Sequence, residues 1–110
     1  MLREAADVRI ALTTTGSLEE GRRLARLLVE RRLAACVNLV PNLTSIYRWQ
    51  GAVEEAAEVL LIMKTTKKQI SALESAVREL HSYEVPEFLV LDVQSGSQPY
   101  LNWLLECAGK

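Results

Sequence analysis

The sequence predicts an α+β domain of the ferredoxin-like kind, ordered strand, helix, strand, strand, helix, strand, with a long hairpin between the second and third strands and an extra C-terminal helix. Three observations predict it. Short apolar, partly β-branched runs alternate with segments whose apolar residues recur at helical spacing. Helix-starting motifs follow the first and third of those runs, at Ser17/Glu20 and Thr66/Gln69. The middle two runs are joined by a turn at Gly51 rather than by a helix.

Each element has its own reason. Val8–Thr14 ("VRIALTT") is the first strand. Ser17 with Glu20 forms a capping box, and Leu24, Ala25, Leu28 and Val29 give the first helix its apolar stripe. Its other face carries Arg22, Arg23, Arg26 and Arg31 among glutamates, the pattern of a solvated face. "AACVNLVPNLTSIYRWQG" starts the second strand, with Pro41 marking an edge or a bulge because it donates no ladder hydrogen bond. "AEVLLIMKTT" returns; Val59, Leu61 and Met63 point one way and Leu60, Ile62 and Lys64 the other, so both faces are expected to be buried. Thr66 and Gln69 form a second capping box, followed by Ile70, Leu73, Val77 and Leu80 at helical spacing. Pro86 biases Val85 out of the helix, and "EFLVLDV" is the fourth strand. "QSGSQ" is a loop, and Pro99 suits the first turn of the last helix, where Trp103 is expected in the core.

The chain has 110 residues, the size of one domain spanning 1–110 with its core elements over about 8–106. With 49% hydrophobic and 25% charged residues it is expected to fold and dissolve. A net charge of -1 offers no electrostatic reason to bind nucleic acid or an anionic membrane. No apolar run approaches the ~20 residues a membrane span needs. The charged start "MLREAADVRI" lacks a signal-peptide core, and Cys36 and Cys107 have no CxxC spacing. A cytoplasmic protein with reduced thiols is expected, Cys36 lying buried and inert in its strand. Helices on one side of the sheet leave an apolar second side, and the hairpin outreaches the domain, so the chain is expected to oligomerise.

"RLAACVN" (Arg32–Asn38), "TSIYRWQG" (Thr44–Gly51), "EVLLIMKT" (Glu58–Thr65), "YEVPE" (Tyr83–Glu87) and "YLNWL" (Tyr100–Leu104) stand in order over nearly the whole chain. In these blocks the sequence resembles the CutA family of divalent-cation tolerance proteins. The resemblance implies a ferredoxin-like fold and a tight homotrimer like that of the PII signalling proteins, with sheets facing inward and hairpins reaching over neighbours. It implies a role in divalent-cation homeostasis, copper included. Some bacterial members offer a first-strand cysteine and two adjacent histidines; Thr13, Leu80 and His81 stand at those positions here, so only one histidine is present, and Ser82 replaces a common proline.

Two constellations carry the functional expectations. His81, alone or with Glu84 or Glu87, is the candidate ligand for copper or another divalent cation, and one imidazole without a thiolate predicts weak, nonselective binding. The alternative for His81 is a polar helix end. Lys64 is expected beside Tyr83, Glu84 and Glu87, because only Thr65 and Thr66 separate the third strand from the second helix. The resemblance adds Tyr47 and Trp49 from a hairpin and implies that the hairpin is a neighbour's. Together these six make a candidate pocket for an unknown small ligand, as in a PII-like sensor. An enzyme is not expected: no nucleophile–base pair or glycine-rich phosphate loop stands out.

Overall fold

Alternating and helical patterns resolve into ten elements over residues 1–109, which the structure, a computed structural model, describes. In chain order these are β1 (Leu2–Glu4), β2 (Val8–Thr15), α1 (Leu18–Glu30), β3 (Cys36–Trp49), β4 (Ala52–Thr66), a 3-10 turn (Lys67–Gln69), α2 (Ile70–Leu80), β5 (Leu89–Asp92), β6 (Ser95–Ser97) and α3 (Gln98–Cys107). Four strands form an antiparallel sheet in the order β3-β4-β2-β5, the arrangement of a ferredoxin-like fold. β1 and β6 form a separate two-stranded pair, where a charged terminus and a loop are expected from sequence. Three-residue strands carry too little alternation to be read locally; their partner lies at the other end of the chain.

The main core lies between one sheet face and helices α1 and α2. Ala11, Val59, Leu61 and Met63 from the strands meet Leu24, Ala25 and Leu28 of α1 and Leu73, Ala76 and Val77 of α2. Full burial of a leucine or methionine of this kind contributes roughly 1.5–3 kcal/mol. Gly21 lets α1 settle onto the sheet: a Cβ there would lie 3.0 Å from Thr15 Oγ1 and 3.3 Å from Leu61 Cδ1.

The opposite face is only partly covered. Alternation puts Val8 on this face, and α3 packs there through Leu101 and Leu104 against Val8, Ala35 and Ala5. Farther along, Leu12, Leu60 and Ile62 are half-buried and Leu89 and Leu91 exposed, so the expectation of a doubly buried third strand holds for one face within a single chain. Trp103 is corrected too. It is 43% exposed on α3 beside Tyr100, because Leu101 and Leu104 take the buried side of that helix. Cys36 is half-buried rather than buried, since β3 is an edge strand.

The capping expectations divide. Ser17 Oγ accepts the Glu20 N–H at 3.1 Å, as a cap requires, but the Glu20 carboxylate turns to the segment after α2 and accepts bonds from Ser82. Thr66 makes no side-chain cap; the helix is entered through the 3-10 turn, and Gln69 Nε2 donates to the Arg32 carbonyl at 3.0 Å.

The long hairpin changes its facing partway along. Cross-strand partners before Pro41 pair Val40 with Leu60; after Asn42, Leu43 pairs with Glu58. One extra residue in β3 therefore makes a bulge, with Asn42 at φ 65°. Before it, even-numbered residues of β3 share the face of Leu60 and Ile62; after it, Leu43, Ser45, Tyr47 and Trp49 do. Gln50 and Gly51, at φ 50° and 83°, close the hairpin in the left-handed turn that two-residue loops favour.

Candidate functional site

The segment His81–Phe88 joins α2 to β5 and passes the end of β2. His81 ends α2, its N–H bonded to the Val77 carbonyl, and its side chain is fully buried. Its Nε2 lies 2.6 Å from the Thr14 carbonyl oxygen, and its Nδ1 accepts the Tyr83 N–H at 2.9 Å. A carbonyl can only accept and an amide N–H only donate, so these partners assign the neutral tautomer with the proton on Nε2. Glu20 fastens the same segment: its carboxylate accepts the Ser82 N–H and Oγ–H, each at 3.0 Å. Burial pushes the Glu20 carboxyl up, but the Ser82 bonds outweigh it and hold the group below the usual carboxylate range.

Tyr83 then reaches over Gly16, where a Cβ would stand 3.2 Å from its hydroxyl oxygen, and donates that hydroxyl to Glu58 Oε2 at 2.8 Å. Burial and the Glu58 carboxylate push the Tyr83 hydroxyl up to about 12. The bond ties the α2–β5 segment to the hairpin. Between the two lies a cleft of about 600 Å³, lined among others by Thr14, Tyr47, Trp49, Glu58, Glu84 and Glu87. Thr14 is its one buried lining residue and forms the floor. Burial, with the nearby Glu58 charge, raises the Glu87 carboxyl above its usual range.

The structure brings Tyr47, Trp49, Tyr83, Glu84 and Glu87 together around this cleft, all from one chain. The hairpin aromatics thus line the same cleft as their own chain's loop. Lys64 does not join them, which corrects the expected pocket. Its Nζ lies 5.8 Å from the centre of the Tyr100 ring, at the α3 end of the sheet. Lys64 is close to the start of α2, but Tyr83 follows its end, and an 11-residue helix spans about 16 Å. His81 is corrected as a metal ligand: both ring nitrogens are already engaged, leaving no lone pair for a cation.

Sequence reasoning missed Glu58 and Thr14. Glu58 had a signal: it is the charged member of the alternating series Glu58, Leu60, Ile62 on the open face. Thr14 had none, since its place depends on the loop that covers it.

These features define a ferredoxin-like α+β protein with a half-open sheet face and a small-molecule-sized, carboxylate-lined cleft between hairpin and loop. The family model for the CutA1 divalent ion tolerance protein matches residues 9–107, and the chain belongs to that family. It is 51% identical over 100 residues to the divalent-cation tolerance protein CutA of Thermus thermophilus, covering 91% of this chain and 97% of that one. It is 46% identical to mouse protein CutA over 88% of this chain but only 55% of the mouse protein, so it spans about half of that longer relative. Among solved structures, the divalent cation tolerance protein of Thermus thermophilus superposes with TM-score 0.90 at 50% identity, covering 93% of this chain and 99% of that one. The structure of CutA from Synechococcus elongatus PCC7942 complexed with a Bis-Tris molecule superposes with TM-score 0.88 at 40% identity, covering 94% and 96%.

The family name invites a test for a metal centre. A divalent-cation site needs several donors converging on one point. Among the described residues no three His, Cys, Asp or Glu side chains are so grouped, and the one histidine is spent on the loop. The donor set therefore does not fit a resident metal ion.

Proposed function

We propose that this chain works as a cytoplasmic, homotrimeric, non-enzymatic scaffold that binds a small organic ligand in the manner of a PII-like sensor. On this reading its part in divalent-cation tolerance runs through that ligand rather than through copper or another cation held at His81. The single observation that carries the reading is the cleft of about 600 Å³ with aromatic walls and a few polar groups, the usual build of a small-molecule site. The Synechococcus relative solved with Bis-Tris supports a small organic ligand. What supports the trimer is the apolar open face, where Leu89 and Leu91 are 56% and 47% exposed, together with the exposed hairpin residues Ile46 and Val53. Two free cysteines suit a reducing compartment.

Native mass spectrometry of protein purified gently from its host tests the reading. The expected species has the mass of three chains plus an organic adduct. A monomer with no adduct, or a trimer carrying only stoichiometric metal, overturns it.

A further inference from the structure

We infer that the cleft between the hairpin and the His81–Phe88 segment takes an organic ammonium cation, held by the aromatic faces of Tyr47 and Trp49 and the carboxylates of Glu58, Glu84 and Glu87. The inference rests on the small-ligand reading above and names the chemical class of that ligand.

Charge comes first. Three carboxylates line the cleft, and no lysine, arginine or histidine does. None of the three takes part in an ion pair among the described residues; the pairs there are Arg9–Asp92 and Arg78–Glu74, and the neutral His81 only lies near Glu20. Such a site repels an anion and holds negative charge that a bound cation would offset. Burial first, and the Glu58 charge second, raise the Glu87 carboxyl above its usual range.

The type of cation follows from the rest of the lining. A bare divalent ion needs six or more oxygens at short range, and these carboxylates do not converge into such a group. An alkylammonium spreads its charge over carbon and needs only faces and fields. Tyr47 and Trp49 are 43% and 50% exposed, so their rings are open to a ligand, and tryptophan is the strongest cation–π partner. Thr14, 9% exposed at the floor, has no hydrogen bond to its hydroxyl among the described residues, which leaves that group for a polar substituent of the ligand. Tyr83 holds Glu58 in place by its 2.8 Å bond, so one wall of the site is preorganised.

The experiment is an NMR titration of the full chain, following the Trp49 indole signal with Trp103 as internal control. Tetramethylammonium chloride is the probe, tert-butanol its neutral counterpart and zinc chloride the metal. Saturable shifts at Trp49 with tetramethylammonium alone are expected, weakened about twofold to thirtyfold in Trp49→Leu, read at the loop amides, since a cation–π contact is worth about 0.5–2 kcal/mol. Glu58→Gln and Glu87→Gln, both isosteric, should weaken it similarly while leaving the circular dichroism unchanged. Equal shifts with tert-butanol sink the ammonium inference and leave the small-ligand reading standing. Zinc that saturates the same signals and displaces the probe sinks the inference in favour of a metal. Silence with every probe sinks it as well, and the adduct in the native mass spectrum then decides the broader reading separately.

Discussion

The imidazole of His81 stands 2.6 Å from the carbonyl oxygen of Thr14, a residue 67 positions earlier in the chain. Through it the loop after α2 is pinned to the end of β2, and the cleft acquires its floor and one wall together. The other ring nitrogen takes the Tyr83 N–H. His81→Ala leaves both partners without a bond and should cost about 2 kcal/mol, the penalty for orphaning buried polar groups. Urea unfolding monitored by circular dichroism measures it. A loss below about 0.5 kcal/mol, the range of neutral surface changes, would show that the loop holds without its histidine.

Tyr83 should titrate late. Its hydroxyl is pushed up to about 12 by burial and by Glu58, so the folded state holds this proton more tightly than the unfolded chain, where the ordinary value is 10.0. A raised folded value means the stabilisation is fully present below about 10 and is lost as the pH rises towards 12. Tyrosinate absorbance of the folded protein should show a late phase, and Tyr83→Phe should remove it. If all three tyrosines ionise together, the Tyr83–Glu58 bond is absent in solution.

The bulge at Pro41–Asn42 absorbs the extra residue of β3. Deleting Asn42 removes the extra residue: Pro41 then falls opposite Val59 and Leu43 stays opposite Glu58, so Tyr47 and Trp49 keep their side of the ribbon. In a Trp103→Phe background, the deletion should therefore leave Trp49 emission unchanged, with strand content retained. A red-shifted emission would mean that the strands slip in register beyond the bulge and turn Trp49 out of the cleft.

Gly21→Ala pits two effects against each other. Alanine gains about 1 kcal/mol in helix propensity. Its Cβ, however, would stand 3.0 Å from Thr15 Oγ1 and 3.3 Å from Leu61 Cδ1, both on fully buried side chains that cannot move aside. Overpacking of this kind costs about 1–3 kcal/mol, so the variant should be less stable by about 1 kcal/mol. A more stable variant in thermal unfolding would show that α1 can lift off the sheet at small cost.

By itself the sequence determined the kinds of element and their order. Continuous apolar runs such as Val59–Met63 and helical spacing such as Ile70–Leu80 read as strand and helix from their own residues, and Pro41 and Gly51 marked the bulge and the turn because their own chemistry demands them. The five quoted blocks likewise pointed to the family from local residues. Of the cleft, its aromatic and acidic members were legible as polar residues at a joint and a hairpin. Only the tertiary structure decided which of them meet. Lys64 lost its place because α2 carries its far end, and Tyr83 with it, away from the strand end where that helix begins. Glu58 gained a place because a one-residue bulge in β3 brings Tyr47 and Trp49 onto its face. His81 changed from ligand to fastener because Thr14 and Tyr83 meet both its nitrogens. The β1–β6 pair escaped notice for the same physical reason. Contacts between residues far apart in the chain depend on register and packing, and no window of neighbouring residues contains that information.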